Sequence, residues 1–290
     1  MAARRPRLVL HGGTPKTATT SLQHAFDAQR DVLAARGVWY PDTGIDPIDR
    51  KHQALVKALR AGDTDAVVAY VGAAVRSAPS GTHTVVLSTE GLYNHWWDFG
   101  EASRDALRAL ARAHDAELWV CFREPLAFAL ANYTQYLRNP RDFEAAYGLD
   151  ASFEEMLDNP RFVLRMNYAG FVRETQAVFG AQGVRAFRYG ADIVERIALA
   201  LGAGTLDVPR RHRTLRTAGV ALMRVVNRYG LGPYDQARVS ALVGEIDALI
   251  GARAEALVAG DGARRRVHEL TAAGWESLQP MLAATDPQPA

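Results

Sequence analysis

Residues 8–26 read LVLHGGTPKTATTSLQHAF. A short apolar run, LVLH, ends in two glycines. A proline, a lysine and a cluster of hydroxyl residues follow, and then an amphipathic helix begins. Leu22, Phe26, Gln29 and Leu33 fall on one helical face, and Gly37 is placed to end it. A strand that turns through glycine into a helix N-terminus leaves backbone N–H groups without partners, and the helix dipole adds partial positive charge. Such a junction holds anions. Lys16 adds a full charge, and Thr17, Thr19, Thr20 and Ser21 add hydroxyl donors. The chain has only three lysines, Lys16, Lys51 and Lys57, and writes arginine elsewhere. An ammonium is a compact, mobile charge where a guanidinium is a rigid fork, so its retention here fits a charge that follows a moving oxygen.

Working outward, further strand-like runs are TVVLS (84–88), ELWVCF (117–122) and VRAFRY (184–189). All are short and almost continuously apolar, as buried parallel strands are. Helical patterns separate them, at 52–61, 63–77, 103–114, 125–138, 152–158, 162–179 and 191–201. This alternation predicts an α/β fold with a central parallel sheet flanked by helices. From 217 onward only helical patterns occur (217–229, 235–259, 263–283), which predicts a helical extension capping the sheet. The expected organisation is one domain over 1–290, with an α/β core to 215, a helical extension over 216–283 and a frayed tail at 284–290. Segment 202–216, GAGTLDVPRRHRTLR, reads as a loop.

With 48% hydrophobic and 23% charged residues the chain is an ordinary globular one, and a net charge of +2 with a pI of about 8.7 is too mild to indicate nucleic acid. One cysteine, Cys121, lies in an apolar run, which excludes an internal disulfide or a cysteine-based metal site. No apolar run is long enough to span a bilayer, and the Arg4–Arg7 region has no signal-peptide core after it. A cytoplasmic location is therefore expected.

A nucleotide-binding phosphate loop reads G-x-x-x-x-G-K-[ST]. Here the segment is shorter, GGTPKT, with proline in place of the glycine before the lysine. A kinase or ATPase would also place an aspartate at a strand end to hold magnesium. The second and third recognised strands end instead in Ser88-Thr89-Glu90 and Arg123-Glu124.

GTPKTATTSLQ resembles the 5′-phosphosulfate loop of sulfotransferases that use 3′-phosphoadenosine 5′-phosphosulfate (PAPS), many of which carry Lys-Thr-Gly-Thr-Thr-Ser-Leu-Gln there. Ala18 replaces the glycine. The resemblance implies a P-loop-like three-layer fold, with Gly13, Thr14, Pro15, Lys16, Thr17, Ala18, Thr19, Thr20 and Ser21 around the cofactor. VVLSTEGLYNHWW (85–97) is similar to the strand that ends in the catalytic base of heparan-type members. Glu90 takes the carboxylate position, and Gly91 and Leu92 replace the lysine and hydroxyl that follow it. LWVCFREPLAFALANYTQYLRNP (118–140) resembles the 3′-phosphate element, with Arg123, Pro125, Tyr133 and Gln135 in register. Ala131 replaces the family serine, so the resemblance gives the 3′-phosphate to Arg123, helped by the Asn132 amide. Arg210, Arg211 and Arg213 lie where members close a loop over the adenosine.

The implied reaction is in-line transfer of a sulfuryl group to a hydroxyl of a small-molecule or carbohydrate acceptor. Lys16 and the loop amides would stabilise the leaving oxygen, and Glu90 would take the acceptor proton. No metal is expected. His52, which opens a helix, is the rival base, and its plainer reading is a helix-terminal residue facing solvent. His11 is expected to pack under the loop. His95, Trp96 and Trp97 either line an acceptor pocket or belong to the core. The alternatives are a nucleotide kinase or NTPase with a degenerate loop, and a non-catalytic nucleotide binder. A nucleic-acid binder using RRHRTLR (210–216) and ARRR (263–266) would leave Lys16 and Glu90 without a purpose. The acceptor and the oligomeric state are not encoded in any motif.

Overall fold

The structure is a computed structural model and describes residues 5–140, 147–208, 215–250 and 259–286. Five parallel strands form one sheet: β1 (Arg7–His11), β2 (Val38–Trp39), β3 (Thr84–Ser88), β4 (Glu117–Phe122) and β5 (Val184–Arg188), in spatial order β2-β3-β1-β4-β5. After β1 come α1 (Thr19–Ala28) and α2 (Arg30–Ala35). Between β2 and β3 lie α3 (Gln53–Ala61) and α4 (Thr64–Arg76). The short α5 (Gly91–Asn94) and α6 (Glu101–His114) precede β4. Then follow α7 (Pro125–Arg138), α8 (Phe153–Met156), α9 (Pro160–Leu164) and α10 (Tyr168–Phe179). After β5 come α11 (Ile193–Ala200), α12 (Thr217–Arg228), α13 (Pro233–Ile250) and α14 (Asp261–Ala283).

The α/β expectation holds. Strands apolar on both faces need helices on both sides. Val9, Val86, Trp119, Cys121 and Phe187 share one face and pack with Leu22 and Phe26 of α1, Leu33 of α2, and Ile193 and Ile197 of α11. On the other face, Phe122 meets Phe171 of α10, and α10 packs on α6. Cys121 is buried, as expected, and burial pushes its thiol well up.

Strand order turns back on itself at β1. The chain runs first to β2 and β3 on one side, then to β4 and β5 on the other. In sheets of this kind the ligand crevice lies beyond the carboxyl ends of the strands where the order reverses. Here those ends carry the Gly12–Gly13–Thr14 turn and Arg123. The turn continues the β1 ladder onto β4, with Gly12 N–H donating to Trp119 O at 2.9 Å and Thr14 N–H to Cys121 O at 3.3 Å.

Contacts divide the chain into two compact units. One comprises Met1–Arg123, Tyr168–Arg211 and Ser277–Ala290 and holds the sheet; the other comprises Glu124–Asn167 and His212–Glu276. By this division α7 groups with the C-terminal helices. The Asn227 amide of α12 donates to Leu137 O and Leu149 O, each at 2.9 Å, and α12 and α13 both pack on α7.

Other differences have local causes. β2 has two residues, too few to show a pattern, and is held by pairing Val38 with Thr84 and Trp39 with Val85. The first helix was expected to run to Gly37 but breaks at Gln29. There the side chain donates to Asp207 O at 2.7 Å and accepts from Asp207 N–H at 3.0 Å. The predicted 162–179 helix is two, α9 and α10. The tail is not frayed at its start. Thr285 donates to Ala186 O at 2.5 Å, and Asp286 pairs with Arg196 at 2.9 Å.

Candidate functional site

The junction after β1 carries a run of backbone donors without backbone acceptors. Lys16 and Ala18 adopt left-handed backbone conformations, with φ of 65° and 62°, while Thr17 between them does not. Alternation of this kind turns successive N–H groups toward one point and makes an anion-binding concavity. Ala18 stands at the helix N-cap without a side-chain cap bond. The first bond into α1 is Leu22 N–H to Ala18 O at 3.0 Å. Among the described residues, the amides of Thr17, Ala18, Thr19, Thr20 and Ser21 have no backbone acceptor. Helix ends are ordinarily satisfied by caps, water or ligand, and this one has no protein cap.

The hydroxyls divide by role. Thr14 Oγ1 donates to Cys121 O at 2.8 Å, and Thr17 Oγ1 donates to Thr14 O at 2.6 Å. Both brace the turn and are not free donors, contrary to the expectation for Thr17. Thr19 Oγ1 is buried and has no partner. Gly13 has no room for a side chain, since a Cβ would lie 2.6 Å from Thr19 Oγ1 and 3.3 Å from His11 Cε1. Pro15 is buried between Thr14 and the half-buried Lys16.

His11 packs under the turn, as expected. Its Nδ1 lies 2.8 Å from Ser88 Oγ, and Gln23 Nε2 donates to the same Oγ at 3.2 Å. Burial lowers its pKa to about 4, so the ring is neutral at physiological pH, and its Nε2 has no partner. Arg123, at the end of β4, is half-buried. One Nη1 proton reaches Lys16 O at 3.4 Å, and the guanidinium stacks over Tyr189 with 5.0 Å from Cζ to the ring centroid. Its other donors remain available to an anion.

Glu90 follows β3 and precedes α5, half-buried. Burial pushes its carboxyl up from the ordinary value; the Lys16 charge is the strongest opposing influence, Lys51 the next, and Asp49 adds to the rise. The two predicted catalytic groups, Lys16 and Glu90, therefore lie within electrostatic reach of each other in the sheet-bearing unit.

His52 does not face solvent. It is fully buried, its Nε2 lies 3.0 Å from Pro41 O, and its Nδ1 accepts the Ser88 N–H at 3.0 Å. The bond from Ser88 fixes the proton on Nε2, which donates to Pro41. Burial holds its pKa at about 4. Both nitrogens are thus committed to backbone, and no lone pair is left to take a substrate proton. Its service is structural, fastening the end of β3.

Neither protein-family models nor curated proteins match this chain. The reading of the site accordingly rests on its geometry.

Of the aromatic group beyond Glu90, Trp96 is core and donates to Glu174 Oε2 at 3.0 Å. Trp97 is half-buried against Tyr93 and Phe171, and His95 Nδ1 sits 2.9 Å from Asp98. Asn132 belongs to the second unit, on α7. It is buried, and neither atom of its amide has a partner. A buried amide left so is ordinarily satisfied by water or a ligand. Arg210, Arg211 and Arg213 lie outside the described residues. Sequence reasoning missed Lys51, Asp49 and Tyr189. The scarcity of lysine that singled out Lys16 was the available signal for Lys51.

Among the described residues no cluster of His, Cys, Asp and Glu is arranged to hold a metal ion, and no helix is long and apolar enough to cross a membrane.

Proposed function

We propose that this chain is a PAPS-dependent sulfotransferase with a phosphate-binding loop at residues 13–21. The reading is carried by one observation: five consecutive amides, Thr17 to Ser21, without backbone acceptors at a strained turn beside Lys16, whose charge bears on the Glu90 carboxylate. An anionic phosphate group suits that donor set, and a carboxylate under the influence of the same lysine suits a hydroxyl acceptor. When bound, PAPS supplies a sulfuryl group already attached to a good leaving phosphate.

The amides of residues 17–21 grip and orient the phosphate end, and need no reorganisation as charge develops there. Lys16 neutralises charge on the leaving oxygen. Glu90 accepts the proton of the attacking hydroxyl. Its raised affinity for protons makes it a stronger base than a solvent-exposed carboxylate, provided it stays ionised. Arg123, with most of its guanidinium donors uncommitted, is placed for a second phosphate of the nucleotide. The acceptor class is a small molecule or carbohydrate bearing a hydroxyl.

The test is calorimetry with PAPS and 3′,5′-ADP in EDTA, joined to an assay of 3′,5′-ADP release against hydroxylated acceptors. Lys16→Ala should weaken 3′,5′-ADP binding by roughly 10- to 100-fold, the worth of a charged hydrogen bond. Glu90→Gln should lower kcat by about 10²–10⁴-fold while binding the nucleotide normally. Absence of heat with both nucleotides would overturn the reading, as would activity that depends on magnesium and ATP.

A further inference from the structure

The loop of residues 13–21 leaves β1 just after His11 and has entered α1 by Gln23. The side chains of His11 and Gln23 reach the same atom. His11 Nδ1 lies 2.8 Å from Ser88 Oγ, and Gln23 Nε2 donates to that oxygen at 3.2 Å and to Ser88 O at 3.4 Å. All three side chains are buried, so water does not compete for these bonds. One hydroxyl at the end of β3 thus gathers both ends of the loop.

Ser88 stands two residues before Glu90, and the link between them is tied. Thr89 N–H donates to His11 O at 2.9 Å, and Thr89 Oγ1 donates to Gln53 Oε1 at 3.2 Å. The same Oγ1 accepts from Gly91 N–H at 3.2 Å. Gly91 lies close against α3, where a Cβ would come within 2.7 Å of Val56 Cγ2. Glu90 is therefore carried between two held residues.

Neither the strand end nor the loop needs the Ser88 hydroxyl for its own shape. Ser88 N–H donates to His52 Nδ1 at 3.0 Å, and Ser88 O accepts from His52 N–H at 2.9 Å. The loop has its own braces, Thr14 Oγ1 on Cys121 O and Thr17 Oγ1 on Thr14 O. What is left to the hydroxyl is the register between the two.

We infer that Ser88 is a positioning residue: its hydroxyl, shared by His11 and Gln23, fixes where the Glu90 carboxylate stands relative to the amides of the loop. This inference rests on the reading of Glu90 as the base.

The experiment joins amide exchange to kinetics on Ser88→Ala and on Gln23→Leu, which cuts the same contact from α1. In nucleotide-free protein, exchange at Thr89 and Gly91 should speed by about tenfold in both variants. The amides of Gly12 and Thr14, which are bonded to β4, should keep their parent rates. Ser88→Ala should lower kcat by roughly 10- to 100-fold, the cost of a misplaced group, with 3′,5′-ADP affinity within about threefold of the parent. On a Glu90→Gln background the same change should cost less than about threefold, since a residue acting through Glu90 then has nothing to act on. Exchange that changes equally at all four amides, or at none, overturns the proposal. So does a loss of kcat that is undiminished without Glu90. The exchange measurement needs neither nucleotide nor acceptor, so failure of PAPS to bind the parent protein counts against the sulfotransferase reading alone.

Discussion

Ala18 sits in a conformation that disfavours every residue with a Cβ. Its φ of 62° and ψ of 18° are left-handed, and such a placement costs an L-residue about 1–2 kcal/mol. From the sequence, alanine at this position looks like a minor departure from glycine and a good helix former; in place, it is a strained N-cap. Ala18→Gly is accordingly expected to raise stability by about 1 kcal/mol, read as a higher urea midpoint, with the anion-binding turn unchanged. A lower midpoint would show that the turn is not strained. Lys16 carries the same strain at a residue whose charge the site uses, a pattern typical of functional turns. What a reader of residues alone recovers is therefore uneven. Lys16 and Glu90 announce themselves by type and motif. Tyr189 acquires meaning only when the end of β5 folds beside β4 and its ring meets the Arg123 guanidinium. His52 looked like a candidate base because sequence does not show that both its nitrogens are already bonded.

Among the elements, α7 was readable to the residue. Glu124 caps it, accepting from Leu126 N–H at 3.1 Å and Ala127 N–H at 2.8 Å, Pro125 opens it, and Arg138 lies in its last turn. β2 and α5 were not readable, because two and four residues show no period and are fixed by tertiary pairing. α5 is nonetheless the element on which Glu90 depends. Gly91→Ala would drive a methyl group into Val56 and push α5 away from α3. The expected loss is on the order of 1–3 kcal/mol, measured as a lower denaturation midpoint. 3′,5′-ADP release should fall as well, since Glu90 is the residue before α5. An unchanged midpoint would mean that α3 yields without strain.

Across the whole molecule, two buried histidines tie stability to pH. Burial lowers the pKa of His11 and of His52 from 6.5 to about 4. Between those values the unfolded chain binds protons that the folded one refuses. Stability is thus complete above about pH 6.5 and is lost as pH falls toward 4. Each ring contributes on the order of 3 kcal/mol to that loss. Urea midpoints at pH 7.5 and pH 5 should differ accordingly, and His52→Asn should lose less on acidification, whatever its stability at neutral pH. An equal loss in the variant would assign the acid sensitivity elsewhere. The parallel sheet was legible because buried strands write nearly unbroken apolar runs. The grouping of 124–167 with the C-terminal helices was not, because it depends on long-range bonds such as those of Asn227. The bonds of Gln279, Thr285 and Asp286 to Arg188, Ala186 and Arg196 have a consequence for biosynthesis. β5 is an edge strand, and these residues cover part of it. A nascent chain stalled before residue 277 would leave that border bare on the ribosome, where a neighbouring polypeptide can add a strand of its own.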